Sequence, residues 1–353
     1  MKKGANPLLR IDLQRWRMRV VMILLFGGFA ALTARATYLQ TWQNDFLNKE
    51  GGKRVNRVVE IPAHRGMITD RRGEPVAVEG DDKTYIEALV LDHLIHSYTD
   101  LNDPLHLEYE YIRLYEELVR WQTLDKKSFR VLFIGGGGYT FPRFLEAKYP
   151  GAQIDVVEID PEVSRVARAY LGIASDSRIR TFNEDARWFV MNCKESGTYD
   201  FIFGDAFNDL SIPYHLTTRE FAAELKRLLK PDGLYLANVI DSFKKGLFIP
   251  AYIRTLEDVF GKKQVNLVTA NTDLNDMGIS TYVVVASSKK LEQEDFIESM
   301  RRSGDKDVMG LFFPQALLQT YLKDQNPVLL TDDYVPVDNL IAPIFEERYG
   351  YRK

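Results

Sequence analysis

Cysteine is nearly absent: Cys193 is the lone thiol in 353 residues. That excludes an intrachain disulfide and a zinc site built on Cys-x-x-Cys pairs, and it reads as a protein from a reducing compartment. Histidine is scarce too, with five in the chain. His93 and His96 stand three apart on an expected strand-to-turn, a spacing that does not converge them, so no metal site is expected. Excess charge is also missing. Against 50 acidic residues stand 46 basic ones, and the net charge of −4 gives no bulk attraction to nucleic acid. Excess polarity is missing as well: with 45% apolar residues the chain can fill one large core or two modest ones.

Long apolar runs are few, and one stands out. Val20 to Ala34 is uncharged between Arg19 and Arg35. At 1.5 Å per residue it makes about 22 Å of helix, short of the roughly 30 Å hydrocarbon layer. Snorkelling arginines and the interfacial rings of Trp16, Tyr38 and Trp42 extend its reach. The expectation is an uncleaved single-pass anchor over residues 20–34 in a bacterial inner membrane. Its basic flank (Lys2, Lys3, Arg10, Arg15, Arg17, Arg19) puts the N-terminus in the cytoplasm. A cleaved signal peptide is the competing reading, and Arg35 between Ala34 and Ala36 counts against it.

From Ser128 onward apolar strands alternate with amphipathic helices, which predicts an α/β, Rossmann-like, doubly wound sheet of seven strands. Strands are expected at Arg130–Ile134, Ile154–Glu158, Arg178–Phe182, Phe201–Asp205, Leu234–Val239, Val265–Thr269 and Thr281–Ala286. Helices are expected from Thr140, at Pro161–Leu171, and near Asp185–Cys193, Thr218–Leu229 and Pro250–Phe260. A short β segment at Tyr85–His93 and a helix at His106–Trp121 precede them.

Three carboxylates fall where such sheets build sites. Gly135, Gly136 and Gly137 follow the first strand, where glycines let backbone approach a ligand. Glu158 ends the second strand about 20 residues later, the usual place for an acid on ribose hydroxyls. Asp185 follows the third strand, either to contact an adenine amino group or to cap the next helix. Asp205 ends the fourth, where a carboxylate can bind an amine, accept a proton, or tie down a loop.

VLFIGGGGYTFPRFLE, VVEIDPEV, EDARWF and YDFIFGDAFND resemble the spermidine-synthase family. LVLDHLIHSYTDLNDPLHLEYEYIR, IPYHLTTREF and LTDDYVPVDNL are similar to its bacterial membrane-fused branch. The resemblance covers roughly residues 84–342. It implies a nucleoside site at Gly135–Gly137, Glu158 and Asp185, with His96 also on the ligand. It implies Asp205 as the acid that holds and deprotonates an amine, with Asp209 as its acidic neighbour. The co-substrate would be decarboxylated S-adenosylmethionine or S-adenosylmethionine, with no tightly bound cofactor, and the acceptor a small-molecule amine. A homodimer is also implied, through the family's N-terminal β-domain, of which little remains here.

Residues 10–79 resemble the start of class B penicillin-binding proteins, the septal transpeptidases. Arg65, Gly66, Ile68, Asp70, Arg71, Gly73, Pro75 and Ala77 carry the match. The transpeptidase chemistry itself is absent, since no Lys-Thr-Gly or Ser-x-Asn occurs and the Ser-x-x-Lys matches at Ser242 and Ser287 are isolated. The expected layout is a basic tail and anchor (1–45), a penicillin-binding-protein-like β segment or linker (46–81), a β-domain remnant with a lead-in helix (82–125), the nucleoside-binding domain (126–290), and C-terminal helices and tail (291–353).

Four departures set the chain apart from the family pattern. Gly138 and Tyr139 stand where Gly-Gly-Gly-Asp-Gly ends in Asp-Gly. Asp103–Tyr109 replaces Asp-x-x-Tyr-His-Glu. Asp209 lies four residues after Asp205 instead of three, and His96 takes the place of a glutamine. Two alternatives to aminopropyl transfer therefore stay open: a methyltransferase using intact S-adenosylmethionine, and an anchored scaffold without turnover. The compartments also conflict, because an N-inside anchor sends residues 40–353 outward while these nucleosides are cytosolic.

Overall fold

The computed structural model describes residues 19–20, 22–29, 33, 86–91, 94–124, 126–206, 213–270, 278–304 and 308–349. The chain divides into two units, Met1–Val58 and Val59–Lys353. In the first, residues 22–29 are helical, and Ile23, Leu24, Leu25, Phe26 and Phe29 are exposed. Among the described residues no helix is long and apolar enough to cross a membrane. The rest of the expected anchor, the penicillin-binding-protein-like segment, His93 and Asp209 lie outside the described residues.

The first described elements of the second unit form a hairpin, β1 (Ile86–Leu91) and β2 (Leu94–Asp100), paired antiparallel. Helix α1 (Glu110–Thr123) follows, starting later than expected. Asp100 accepts hydrogen bonds from the amides of Asn102 and Asp103, and Asp103 from that of Leu105, which holds the segment before α1 in turns.

The sheet then alternates with helices: β3 (Phe129–Ile134), α2 (Thr140–Lys148), β4 (Ala152–Val157), α3 (Pro161–Tyr170), β5 (Arg180–Phe182), α4 (Ala186–Asn192) and β6 (Tyr199–Gly204). After it come α5 (Arg219–Leu228), β7 (Leu229–Ser242), α6 (Phe248–Phe260), β8 (Val265–Thr269), β9 (Ile279–Ser287), α7 (Gln293–Arg302), β10 (Leu311–Phe312), α8 (Gln315–Gln325) and α9 (Val337–Tyr349). Spatial order is β10-β8-β9-β7-β6-β3-β4-β5. Strands β3 to β7 run parallel, β9 is antiparallel to both its neighbours, and β10 is antiparallel to β8. This is the mostly parallel sheet of methyltransferase-type folds. It has eight strands rather than the expected seven, because Leu311–Phe312 from the C-terminal segment adds a two-residue edge strand beside β8.

Strand alternation divides the core. Leu132 and Ile134 join α4, α5, α6 and α9 on one face. Val131 and Phe133 join α1, α2, α3 and α7 on the other. On that second face Phe133 stacks on Phe203 at 4.7 Å, with Tyr115 of α1 4.9 Å from Phe203. These rings fix α1 across the sheet, which brings its first turn to the C-terminal ends of the strands.

Candidate active site

The glycine loop lies against the end of β6. Gly135 has φ +94°, and a Cβ there would stand 2.5 Å from the carbonyl oxygen of Asp205, so both conformation and space demand glycine. Glu158, just past β4, is buried and locks the loop. Its Oε2 accepts from the amides of Gly136 (2.7 Å) and Gly137 (3.3 Å), and its Oε1 from that of Asp160 (2.9 Å). The acid expected at the ribose thus also holds the shape of the loop that would receive the ligand.

Gly138 and Tyr139 are each packed against a neighbouring element. A Cβ on Gly138 would meet Ser97 Oγ of β2 at 1.9 Å, so the hairpin closes directly over this residue. Thr140 anchors the contact by donating to the Tyr98 carbonyl at 3.0 Å and meeting the Thr99 hydroxyl at 2.9 Å. Arg143 of α2 donates to the carbonyls of Asp100 (2.6 Å) and Leu101 (3.1 Å). Tyr139 sits in the left-handed region at φ +57°. Its ring is buried under Gly136, and its hydroxyl reaches Ser164 Oγ at 3.0 Å. Ring burial offsets the conformational cost of roughly 1–2 kcal/mol.

Asp205 follows β6 directly. Its Oδ2 accepts from the Tyr111 hydroxyl at 3.0 Å and its Oδ1 from Asn238 Nδ2 at 2.9 Å. Burial raises its pKa, while the hydrogen bonds from Asn238 and Tyr111 act in the opposite direction without cancelling the rise. Tyr111 is pushed well above its ordinary value by burial and by the Asp205 charge, so it stays protonated and donates. Among the described residues no cationic side chain pairs with Asp205. From Tyr111 a row of rings runs outward, with Tyr109 at 5.8 Å and Tyr98 at 5.4 Å beyond it. Burial, then Tyr98 and Glu108, push Tyr109 up to about 12.

Asp185 is the N-cap of α4, its Oδ1 accepting from the Trp188 amide at 2.9 Å; its Oδ2 meets His215 Nε2 at 3.0 Å. His96 is half-buried on β2, between Ile95, whose carbonyl takes the Tyr109 hydroxyl at 3.4 Å, and Ser97. The structure therefore joins Gly135, Gly136, Gly137, Glu158 and Asp205 through direct contacts. It sets Asp185 with His215, and His96 on the covering hairpin.

Tyr111, Asn238 and His215 are the residues that sequence reasoning missed. Asn238 left a signal, as a polar residue inside the apolar run of β7. Tyr111 and Tyr115, four apart, share one face of α1.

A model of the spermine/spermidine synthase domain matches residues 115–296, just over half of the chain. The chain belongs to the spermine/spermidine synthase family. A polyamine aminopropyltransferase of Vibrio vulnificus is 41% identical over 121 residues, 34% of this chain and 40% of that protein. One of Chromobacterium violaceum is 31% identical over 195 residues, 55% of this chain and 72% of that protein. The chain thus spans well under two thirds of the first relative's length. A probable spermidine synthase from Corynebacterium glutamicum superimposes with a TM-score of 0.62 at 22% identity, covering 72% of this chain and 91% of that one, a likeness of fold.

Proposed function

We propose that the chain is an aminopropyltransferase, moving an aminopropyl group from decarboxylated S-adenosylmethionine to a small-molecule amine, with Asp205 as the group that binds and deprotonates that amine. One observation carries the reading. Asp205 is a half-buried carboxylate of raised pKa whose protein partners are two neutral donors, Tyr111 and Asn238. A desolvated carboxylate without a cation is costly, and an incoming ammonium supplies the missing charge. A raised pKa then suits the acid to take the proton.

The reaction balances within these groups. The ammonium gives a proton to Asp205, the freed nitrogen attacks the propyl carbon next to the sulfonium, the carbon–sulfur bond breaks, and methylthioadenosine leaves. The glycine loop, Glu158 and Asp185 hold the nucleoside, so catalysis is positioning plus base assistance. The row of Tyr111, Tyr109 and Tyr98 offers π faces to an alkyl ammonium approaching Asp205.

The test is release of methylthioadenosine by the purified full chain given decarboxylated S-adenosylmethionine and a panel of primary amines. Amine-dependent release that Asp205→Asn abolishes supports the proposal. Methyl transfer from intact S-adenosylmethionine would replace it with the methyltransferase reading, and absence of both by a protein that binds neither nucleoside would leave a scaffold. The same reading retains residues 20–34 as a membrane anchor, supported by the exposed apolar side chains of residues 22–29. Extraction of membranes at high pH tests it: release of the protein would remove the anchor.

A further inference from the structure

Helix α1 buries a carboxylate that the candidate site does not use. Glu117 is 5% exposed, among the buried side chains of Ile112, Leu114, Tyr115 and Leu118. An acid there is costly unless its oxygens are engaged. Its Oε1 accepts from the Met309 amide at 2.8 Å and its Oε2 from the Gly310 amide at 2.8 Å. Bonds from backbone N–H groups to a carboxylate are of the stronger, charge-assisted kind, and two at once fix its orientation. Gly310 fits this grip closely, since a Cβ there would stand 2.9 Å from Glu117 Oε2 and 3.3 Å from Phe296 Cζ.

Both amides belong to the segment that leads into β10, the edge strand that the C-terminal part of the chain adds to the sheet. One turn further along α1, Trp121 meets Phe296 of α7 at 5.4 Å and Phe312 of β10 at 6.1 Å, both edge-on. The middle and the end of α1 are thus held from the C-terminal part. Its first turn is held differently. Tyr109 at the N-cap makes no side-chain cap, and the Arg113 guanidinium donates back to the carbonyls of Leu107 (2.7 Å) and Glu108 (3.3 Å). From this turn the Tyr111 hydroxyl reaches Asp205, and both tyrosines that feel the Asp205 charge most directly, Tyr111 and Tyr115, sit on α1.

We propose that Glu117 is a positioning residue for the acid–base centre: by gripping Met309 and Gly310 it sets the rotation of α1, and thereby the reach of the Tyr111 hydroxyl to Asp205. The inference rests on Asp205 as the base in the reading given above. Glu117 lies about 9 Å along the axis from Tyr111, within one helix. Apolar packing, as of Tyr115 on Phe203, is non-directional, so the two hydrogen bonds supply the angular restraint. A turn of ~10° about the axis carries a side-chain tip about 6 Å out through ~1 Å. The 3.0 Å bond from Tyr111 to Asp205 does not survive a stretch of that size. The C-terminal edge strand, 192 and 193 residues from Glu117 at its two amides, thus takes part in tuning the base.

A double-mutant cycle on the full chain, Glu117→Gln with Tyr111→Phe, tests this. Glu117→Gln keeps the shape but turns an NH2 group toward one of the two amides. It should lower kcat/KM by ~5-fold, less than loss of the whole Tyr111 hydroxyl, and move the acid limb of the rate profile to higher pH. In the Tyr111→Phe background the same substitution should move neither. Gly310→Ala, which presses on Glu117 from the other element, should repeat the effect and takes its place if Glu117→Gln does not fold. Glu146→Gln removes a comparable tie, a carboxylate accepting from the Arg178 amide at 2.5 Å and Ser177 Oγ at 2.9 Å. It should lower the melting temperature and leave the acid limb in place. The Asp205 titration is also read without turnover, from denaturation of each protein against its Asp205→Asn version across pH. A shift of equal size in both Tyr111 backgrounds, or none in either, overturns the inference. Absence of amine-dependent release by the wild type, with the denaturation shift intact, overturns instead the reading of Asp205 as a base.

Discussion

Strand β6 is bracketed by two carboxylates, a buried one near its beginning and a half-buried one just past its end, and they live in opposite electrostatic worlds. Asp200 stands at its beginning, 2% exposed, with Lys126 Nζ at 2.9 Å, Lys230 Nζ at 2.7 Å and the Arg130 amide at 2.9 Å. Asp205 stands just past its end with Tyr111 and Asn238. Burial works to raise both. At Asp200 the bonds from Lys230, the Arg130 amide and Lys126 outweigh it and the pKa falls; at Asp205 two neutral donors do not, and it rises. A few residues along the same strand, roughly 17 Å, separate a finished structural site from one left incomplete. Asp155 repeats the finished pattern on β4, fully buried between Arg130, Arg180 and the Tyr199 hydroxyl. The difference suggests where to test for function: the acid supplied with protein cations holds the fold, and the one supplied with two neutral side-chain donors is the one proposed above to bind an amine.

Substitution at the Asp205 end should have the largest effect on turnover. Asp205→Asn keeps the shape and removes the base, and turnover should fall by ~10³-fold in the methylthioadenosine assay. Its stability should be equal to or above that of the wild type at neutral pH, since a desolvated charge is gone; marked unfolding would break the comparison. Asp200→Asn should do the reverse. It strands two ammonium groups beside a buried amide and should cost ~3 kcal/mol in urea denaturation, with turnover per folded molecule unchanged.

The pH dependences should also have opposite signs. The native pKa of Asp200 lies below its unfolded value, so its contribution is present above about pH 4 and lost as pH falls through the native pKa. The native pKa of Asp205 lies above its unfolded value, so stability declines as pH rises from about 4 through the native pKa. Denaturation curves of the two variants against the wild type, taken from pH 3 upward, read these slopes directly. Finally, Tyr111→Phe removes one donor from the ionised form of Asp205. Its pKa should climb further, moving the acid limb of the rate profile to higher pH, with kcat/KM lower by ~10-fold.

How much of this was legible in the sequence depended on distance along the chain. Val265–Thr269 is the strand its apolar run predicts, and Asp205 and Glu158 follow strand ends because a carboxylate after an apolar run marks the sheet's edge. Strand β7 starts at Leu229 rather than Leu234: Leu229 pairs with Tyr199 and Leu234 with Phe201, and the turn-like Lys-Pro-Asp-Gly between them forms an irregularity that admits Pro231. The partners of the site residues were beyond reach. Tyr111 and Asp205 are 94 residues apart, and Glu117 and Gly310 are 193. No local periodicity encodes such pairings; packing of α1 and of the C-terminal segment creates them. The substitution of Gly138-Tyr139 for Asp-Gly was visible at once, but what it packs against was not, because Ser97 belongs to a different strand.

That contact couples two elements that are far apart in the sequence. A side chain at position 138 would drive its Cβ into the Ser97 side chain, and Tyr139 fills the space beneath Gly136. The Ser97 hydroxyl makes no hydrogen bond among the described residues, and the hairpin is tied down elsewhere, by Thr140 to Tyr98 and Thr99 and by Arg143 to Asp100 and Leu101. A residue larger than glycine at 138 is therefore expected to be accommodated best when Ser97 is trimmed with it, so loop and hairpin are to be engineered as a pair.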